Sequence, residues 1–312
     1  MSIAEAGEFG LIARVVARLT IGRTTLLGPG DDSAIVAAPD GRIVASTDVL
    51  VEGRHFRRDW SSGTDVGHRA AAANLADIAA MGAVPTALLV GLCAPTDLDI
   101  GWAENLADGL SAEAALVGAS VVGGDTSASP TLTVAVTALG DLGGLKPVLR
   151  SGAQPGDLIA LAGRVGYAAA GYTVLSRGFR TPKALVEAYR RPQVPYEAGP
   201  AAARAGATSM IDVSDGLLQD LGHLAKASVV GLDVRSDAFK VTGQMLDAAT
   251  ALGVDPMQWL LAGGDDHALA ATFPAGTELP PGWSEIGMVH EGTGVTVDHK
   301  LWSGPLGWDH FR

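Results

Sequence analysis

Cysteine is almost missing from this chain: Cys93 stands alone, so no internal disulfide is possible. It ends the apolar stretch Ala87-Leu88-Leu89-Val90-Gly91-Leu92-Cys93, where a buried structural thiol is expected rather than a nucleophile. Lysine is scarce as well, with five in 312 residues, and the formal charge is −12. Both argue against a nucleic-acid or anionic-membrane surface, which needs a basic patch. A nucleotide ligand is not excluded, because bound metal ions reverse the local field. No apolar run approaches the ~18 residues of a membrane span. Met1-Ser2-Ile3-Ala4-Glu5 lacks the basic and apolar regions of a secretory signal, so the expected location is the cytoplasm. A P-loop, zinc-ligand spacing and any local Ser/His/Asp or Cys/His set are also lacking. The 47% of hydrophobic residues and the absence of low-complexity tracts fit a globular α/β chain long enough for two domains.

What the chain does have is acidic motifs set among small and apolar residues. They are Gly28-Pro29-Gly30-Asp31-Asp32, Ser46-Thr47-Asp48, Asn74-Leu75-Ala76-Asp77, Gly123-Gly124-Asp125-Thr126 and Asp212-Val213-Ser214-Asp215-Gly216. A solvated face mixes its carboxylates with lysines, and these do not. Carboxylates in apolar surroundings need a counter-charge, and a divalent cation supplies one. The pattern points to a magnesium-dependent phosphate site.

Helical spacing of Phe9, Leu11, Ile12, Val15, Val16 and Leu19 predicts an opening amphipathic helix over 8–19. Strands are expected at 34–38 and 42–47, then a helix capped by Thr64-Asp65 and ended by Gly82. Further strands are expected at 86–92, 121–122 and 132–139, with a helix over 102–117 between the first two. The glycine- and proline-rich stretch 140–156 marks a domain boundary, giving domains 1–142 and 143–312. Beyond it a strand (158–162), a helix (167–175), a helix from Pro200, a strand (208–213) and a helix (217–226) follow. Two α/β halves around one shared site are the expected arrangement.

Each motif carries two readings. Asp31 and Asp32 line a ligand or form an Asx-type turn. Ser46, Thr47 and Asp48, expected at a strand end, offer three hard oxygens of the kind Mg²⁺ prefers, or a plain turn. Asn74 and Asp77 share a helix face, and Asp77 among alanines and Ile78 takes a cation or a capping role. Gly124 and Asp125 fall where loops after strands bind ligands. Asp212 and Asp215 close a strand and open a helix. Asp215 is a ligand or the helix cap, and the N–H groups there suit a phosphate. Arg150 is the best-placed cation for phosphate, or a surface arginine. His55, seven residues after Asp48, is a substrate contact or a surface histidine.

Together these motifs resemble the thiamine-monophosphate kinase family, within the aminoimidazole-ribonucleotide synthetase-like ATP-binding enzymes. The likeness runs from Gly7-Glu8-Phe9-Gly10-Leu11-Ile12 through Ser-Thr-Asp-x-Leu-Val-x-Gly-x-His-Phe and Arg150-Ser151-Gly152-Ala153-Gln154-Pro155-Gly156-Asp157 to Gly307-Trp308-Asp309-His310-Phe311. The resemblance implies an α/β (α+β) fold of two domains, the N-terminal sheet pairing across a homodimer and the C-terminal domain completing the site. It implies ATP-dependent phosphorylation of thiamine monophosphate with several Mg²⁺ ions. Asp32, Ser46, Thr47, Asp48, Asp77, Asp125, Asp212 and Asp215 would be metal ligands by that resemblance. Gly124, Asp125, Arg150 and Ser214 would meet ATP, and His55, Asp265 and Trp308 the thiamine phosphate. The pattern departs at Gly263-Gly264-Asp265-Asp266-His267-Ala268-Leu269, where the family usually has Gly-Gly-Glu-Asp-Tyr-Glu-Leu; a bridging water or shifted loop would restore the contact of the shorter Asp265. The alternatives are another ATP-dependent enzyme of the same superfamily and a non-catalytic nucleotide or metal sensor.

Overall fold

A computed structural model of the chain describes residues 1–29 and 33–308. It divides into two units, Met1–Ile78 with Ala83–Gly144 and Ala79–Gly82 with Leu145–Arg312. Asp32, expected to bind metal, lies outside the described residues.

The first unit runs α1 (Ile3–Val16), β1 (Thr25–Leu27), β2 (Ile35–Val36), β3 (Val44–Val51), α2 (Gly63–Ala80), β4 (Val84–Ala94), α3 (Ile100–Leu116), β5 (Ser120–Ala128) and β6 (Thr133–Asp141), the last turn of α2 being grouped with the second unit. β1 and β2 form a two-stranded sheet, and the main sheet has the order β3-β6-β4-β5. α1 begins earlier than the apolar spacing predicts, because Ser2 and Glu5 form a capping box, and it kinks at Gly7 (φ 70°). Only Leu11 of its apolar residues is buried, and Phe9 is 82% exposed. α2 is capped by Ser62 rather than Thr64: the Ser62 N–H and Oγ–H donate to Asp65 Oδ2, and Ser62 Oγ accepts the Asp65 N–H.

Alternation in the main sheet separates two faces. Leu50, Val134, Val136 and Ala138 are buried on one. Ala45, Thr47, Val49, Leu89, Gly91, Cys93, Ala135 and Thr137 share the other, which stays open, with Val49 46% and Leu89 40% exposed. Cys93 is therefore half-buried on the open face rather than buried, as its apolar neighbours had implied.

The second unit contains β7 (Leu158–Ala162), α4 (Tyr167–Ser176), α5 (Lys183–Arg190), α6 (Ala198–Arg204), β8 (Ser209–Val213), α7 (Leu217–Ser228), β9 (Gly231–Val234), α8 (Gly243–Leu252), α9 (Pro256–Ala262), β10 (Ala268–Phe273), β11 (Trp283–His290) and β12 (Gly294–Val297). Its sheet has the order β12-β9-β11-β7-β10-β8 and is antiparallel except for β12 on β9. β8 and β10 are buried along their full length. Their antiparallel register sets Asp212 against Leu269 and Val213 against Ala268. The turn that leaves β8 thus lies beside the loop that enters β10.

Candidate functional site

In the first unit the structure lengthens two strands expected to stop short, and this redistributes the predicted ligands. β3 continues to Val51, so Ser46-Thr47-Asp48 lies inside a strand, not at its end. Successive residues then face opposite ways. Ser46 Oγ donates to Asp77 Oδ2 at 2.5 Å, and Asn74 Oδ1 accepts the Asp48 N–H at 3.0 Å while its amide donates to the Ala70 carbonyl. Asn74 and Asp77 do share the helix face toward β3, and Asn74 satisfies a backbone donor on an edge strand. Thr47 points to the open face instead, donating to the Val136 carbonyl and accepting from Thr137 Oγ1.

β5 likewise runs through Gly123-Gly124-Asp125-Thr126, which the sequence had placed in a loop after a strand. The physical reason is the parallel pairing with β4: a Cβ on Gly124 would stand 1.9 Å from the Val90 carbonyl oxygen, so only glycine lets the strands meet. Asp125 pairs in register with Gly91, itself opposite Ala135, which places it on the open face in the row of Val49. Three strand spacings, about 14 Å, separate that row's ends. Within the first unit, Ser46, Asp48 and Asp77 gather, while Thr47 and Asp125 do not join them. His55 folds back onto the end of β3, its Nδ1 accepting the Val51 N–H at 2.9 Å. That bond leaves Nε2 carrying the ring proton.

In the second unit the strand–turn–helix reading of 212–216 holds, and several predicted residues meet there. Asp212 is buried at the end of β8. The Asp265 N–H donates to the Ser214 carbonyl at 2.8 Å, and the Trp308 N–H to the Asp215 carbonyl at 2.9 Å. Gln219 Nε2 donates both to Asp215 Oδ2 and to the Trp308 carbonyl. Gly264 fits because a Cβ there would stand 2.3 Å from the Ser214 carbonyl oxygen. Asp265 and His267 both hold left-handed backbone, φ 68° and 52°, rare for non-glycine residues and common at functional loops. Arg150 is exposed elsewhere: its carbonyl accepts from Ser228 Oγ at the far end of α7, and Leu149 pairs with Met210 near the start of β8. α7 is 12 residues long, about 18 Å, so the Arg150 backbone and Ser214 lie at opposite ends of it.

Four residues of this region are not among the ligands and contacts expected from the sequence. Asp220 is the first. Its Oδ2 accepts the N–H groups of Ser214, Asp215 and Gly216 at 3.0, 3.1 and 3.0 Å. Those donors, expected to be open to a phosphate, are therefore already bonded to a carboxylate of the same chain. Burial pushes the Asp220 carboxyl up to about 7, with the charge of Asp212 acting the same way and the Gly216 N–H opposing. His223 is the second: with Asp215 and Asp220 it offers ligand atoms within 4.8 Å of one another, the one such grouping of three among the described residues. Asp266 is the third, buried, with Oδ1 accepting the Ala168 N–H at the start of α4. His267 is the fourth, its Nδ1 3.2 Å from Asp212 Oδ2, both side chains buried. An aspartate one turn into a helix that opens on Ser-Asp-Gly is the one sequence cue that points to Asp220.

The donors are carboxylate and hydroxyl oxygens, which suit a hard cation such as Mg²⁺. Three buried carboxyl groups at 212, 220 and 266 in one small region also fit a site that takes positive charge.

Comparison with known proteins accords with this chemistry. Residues 30–142 match the family model "AIR synthase related protein, N-terminal domain". The thiamine-monophosphate kinase of Mycobacterium tuberculosis is 48% identical over 312 residues, covering 99% of this chain and 93% of that one. The crystal structure of the kinase from Stenotrophomonas maltophilia K279a superposes with a TM-score of 0.82 at 34% identity, covering 95% and 98%. AaThiL complexed with AMPPCP and TMP superposes with a TM-score of 0.81 at 31% identity, covering 100% and 99%. The fold is thus the α+β fold of those enzymes, and the chain belongs to the thiamine-monophosphate kinase family.

Proposed function

We propose that this chain transfers the γ-phosphoryl group of ATP to thiamine monophosphate, forming thiamine diphosphate by direct in-line transfer. One observation carries the reading. In a chain of this family, the turn bearing Asp212, Ser214 and Asp215 is pinned to the segments bearing Asp265 and Trp308.

The acceptor is a phosphate oxygen, anionic at neutral pH, so no general base is needed and no phosphoenzyme forms. The obstacle is repulsion between two polyanions. Mg²⁺, when bound, neutralises phosphate charge and favours in-line geometry. Ser46, Asp48 and Asp77 of the first unit would hold one such ion and Asp212 and Asp215 of the second another, with Asp32 as a further ligand; Thr47 and Asp125, on the open face of the sheet, would serve an ion apart from that of Ser46, Asp48 and Asp77. Gly124, Asp125, Arg150 and Ser214 are assigned to ATP. His55 offers its Nε2–H to a phosphate oxygen of thiamine monophosphate. Trp308, 56% exposed, offers a ring face for stacking. Asp265 meets the same substrate through a bridging water.

The open sheet face of the first unit, with its exposed Val49 and Leu89, supports a homodimer in which a second copy covers it. Among the described residues no helix is long and apolar enough to cross a membrane, and we assign the reaction to the cytoplasm. A coupled ADP-release assay with ATP, Mg²⁺ and thiamine monophosphate tests the proposal. ADP formed only with a different acceptor, or tight ATP binding without turnover, refutes it.

A further inference from the structure

We infer that His267 is a positioning residue for Asp212, holding that carboxylate in the orientation in which it takes a divalent cation. The inference rests on the reading of Asp212 as a Mg²⁺ ligand. Asp212 is the penultimate residue of β8, its side chain 6% exposed, and His267 Nδ1 stands 3.2 Å from its Oδ2. Carboxylates accept only, so the imidazole nitrogen is the donor, and this bond leaves Oδ1 as the other ligand atom. The ring is itself fixed. The His267 N–H donates to the Val213 carbonyl at 3.0 Å, and its left-handed φ of 52° sets where the side chain leaves the backbone. Strand register thus aims a histidine of β10's entry loop at the last polar residue of β8.

The surroundings explain why a donor is needed at that spot. Asp215 and Asp220 bring carboxylate oxygens within 4.8 Å of each other just beyond β8, and Asp212 is buried beside that turn, so acids crowd the spot. The backbone N–H groups of the turn are bonded to Asp220 and leave none for Asp212 from that quarter. Without the imidazole, the buried Asp212 carboxylate would lose that donor, and the cation would have to orient it.

The test is a titration of the full-length protein with Mn²⁺ as the probe, followed by water-proton relaxation with and without a non-hydrolysable ATP analogue. Melting temperatures check the fold. His267→Ala removes the donor. His267→Asn keeps an amide N–H near the Nδ1 position, and asparagine tolerates left-handed backbone. We expect His267→Ala to weaken Mn²⁺ binding about tenfold or more and to raise the Mg²⁺ concentration needed for half-maximal turnover, with His267→Asn restoring most of both. Should His267→Ala not fold, His267→Gly, which suits the backbone, takes its place. Native Mn²⁺ affinity in the folded donor-less variant overturns the inference, and so does equal weakening in the alanine and asparagine variants. Asp212→Asn in the same titration separates the two levels. If it binds Mn²⁺ like the native chain, the metal reading itself fails; if it alone is weakened, only the role of His267 fails.

Discussion

Replacing Asp266 by asparagine isolates the cost of one buried carboxyl beside the site. The side chain is 3% exposed, and its Oδ1 accepts the Ala168 N–H that opens α4. Burial is the largest influence on it and raises it from 3.8 to about 7, against the opposing pull of the Ala168 N–H and the Arg164 charge. A carboxyl that binds its proton more tightly when folded lends full stability below its unfolded value. That stability drains away as pH climbs through the folded value. At about 1.4 kcal/mol per pH unit, the rise is worth roughly 4 kcal/mol in total, of which roughly 2.5 kcal/mol is lost between pH 5 and pH 8. Asparagine keeps an oxygen for the Ala168 N–H and has no charge to bury. Urea unfolding of both chains at intervals from pH 5 to pH 8, with the buried Trp259 and Trp283 as fluorescence reporters of the second unit, measures the difference. The variant should gain on the native chain as pH rises, by roughly that amount. Parallel stability curves across the range would refute the reasoning.

Asp48→Asn and Asp212→Asn should each lower kcat for ADP release by about a hundredfold or more with unchanged melting temperature; near-native turnover in both removes the metal assignment. Asp220→Ala strips the acceptor from three backbone N–H groups and should cost about 3 kcal/mol in urea unfolding, much of it recovered in Asp220→Asn. Gly124→Ala should destabilise the first unit by about 2 kcal/mol, because its new Cβ meets the Val90 carbonyl; a loss of ATP binding at native stability would instead give Gly124 a purely ligand-facing role. His55→Ala should raise KM for thiamine monophosphate, and a change confined to ATP affinity, seen by varying each substrate in turn, would reassign the residue.

The turn at 212–216 is legible in the sequence because everything that makes it is local: an apolar run, then Ser-Asp-Gly, then a helical period. The same holds for α2, whose Asn74 and Asp77 share a face at a fixed helical spacing. The lengths of β3 and β5 are not legible. Polar and glycine residues inside edge strands interrupt the apolar pattern and read as strand ends, whereas pairing with β6 and β4 carries the strands on. That error matters, since a residue inside a strand has a face and a residue in a loop need not. Asp220 and His267 stay hidden for another reason. The partner of His267 is set by the register of β8 on β10, which no local spacing encodes, and Asp220 has only its place one turn into the helix after Ser-Asp-Gly to mark it.

The stitching of Trp308 to Asp215 by a main-chain bond, reinforced by Gln219, ties the last described stretch of polypeptide to the turn after β8. A purification handle, a fusion partner or an immobilising linker joined just downstream would pull on the main chain that Asp215 and Gln219 hold.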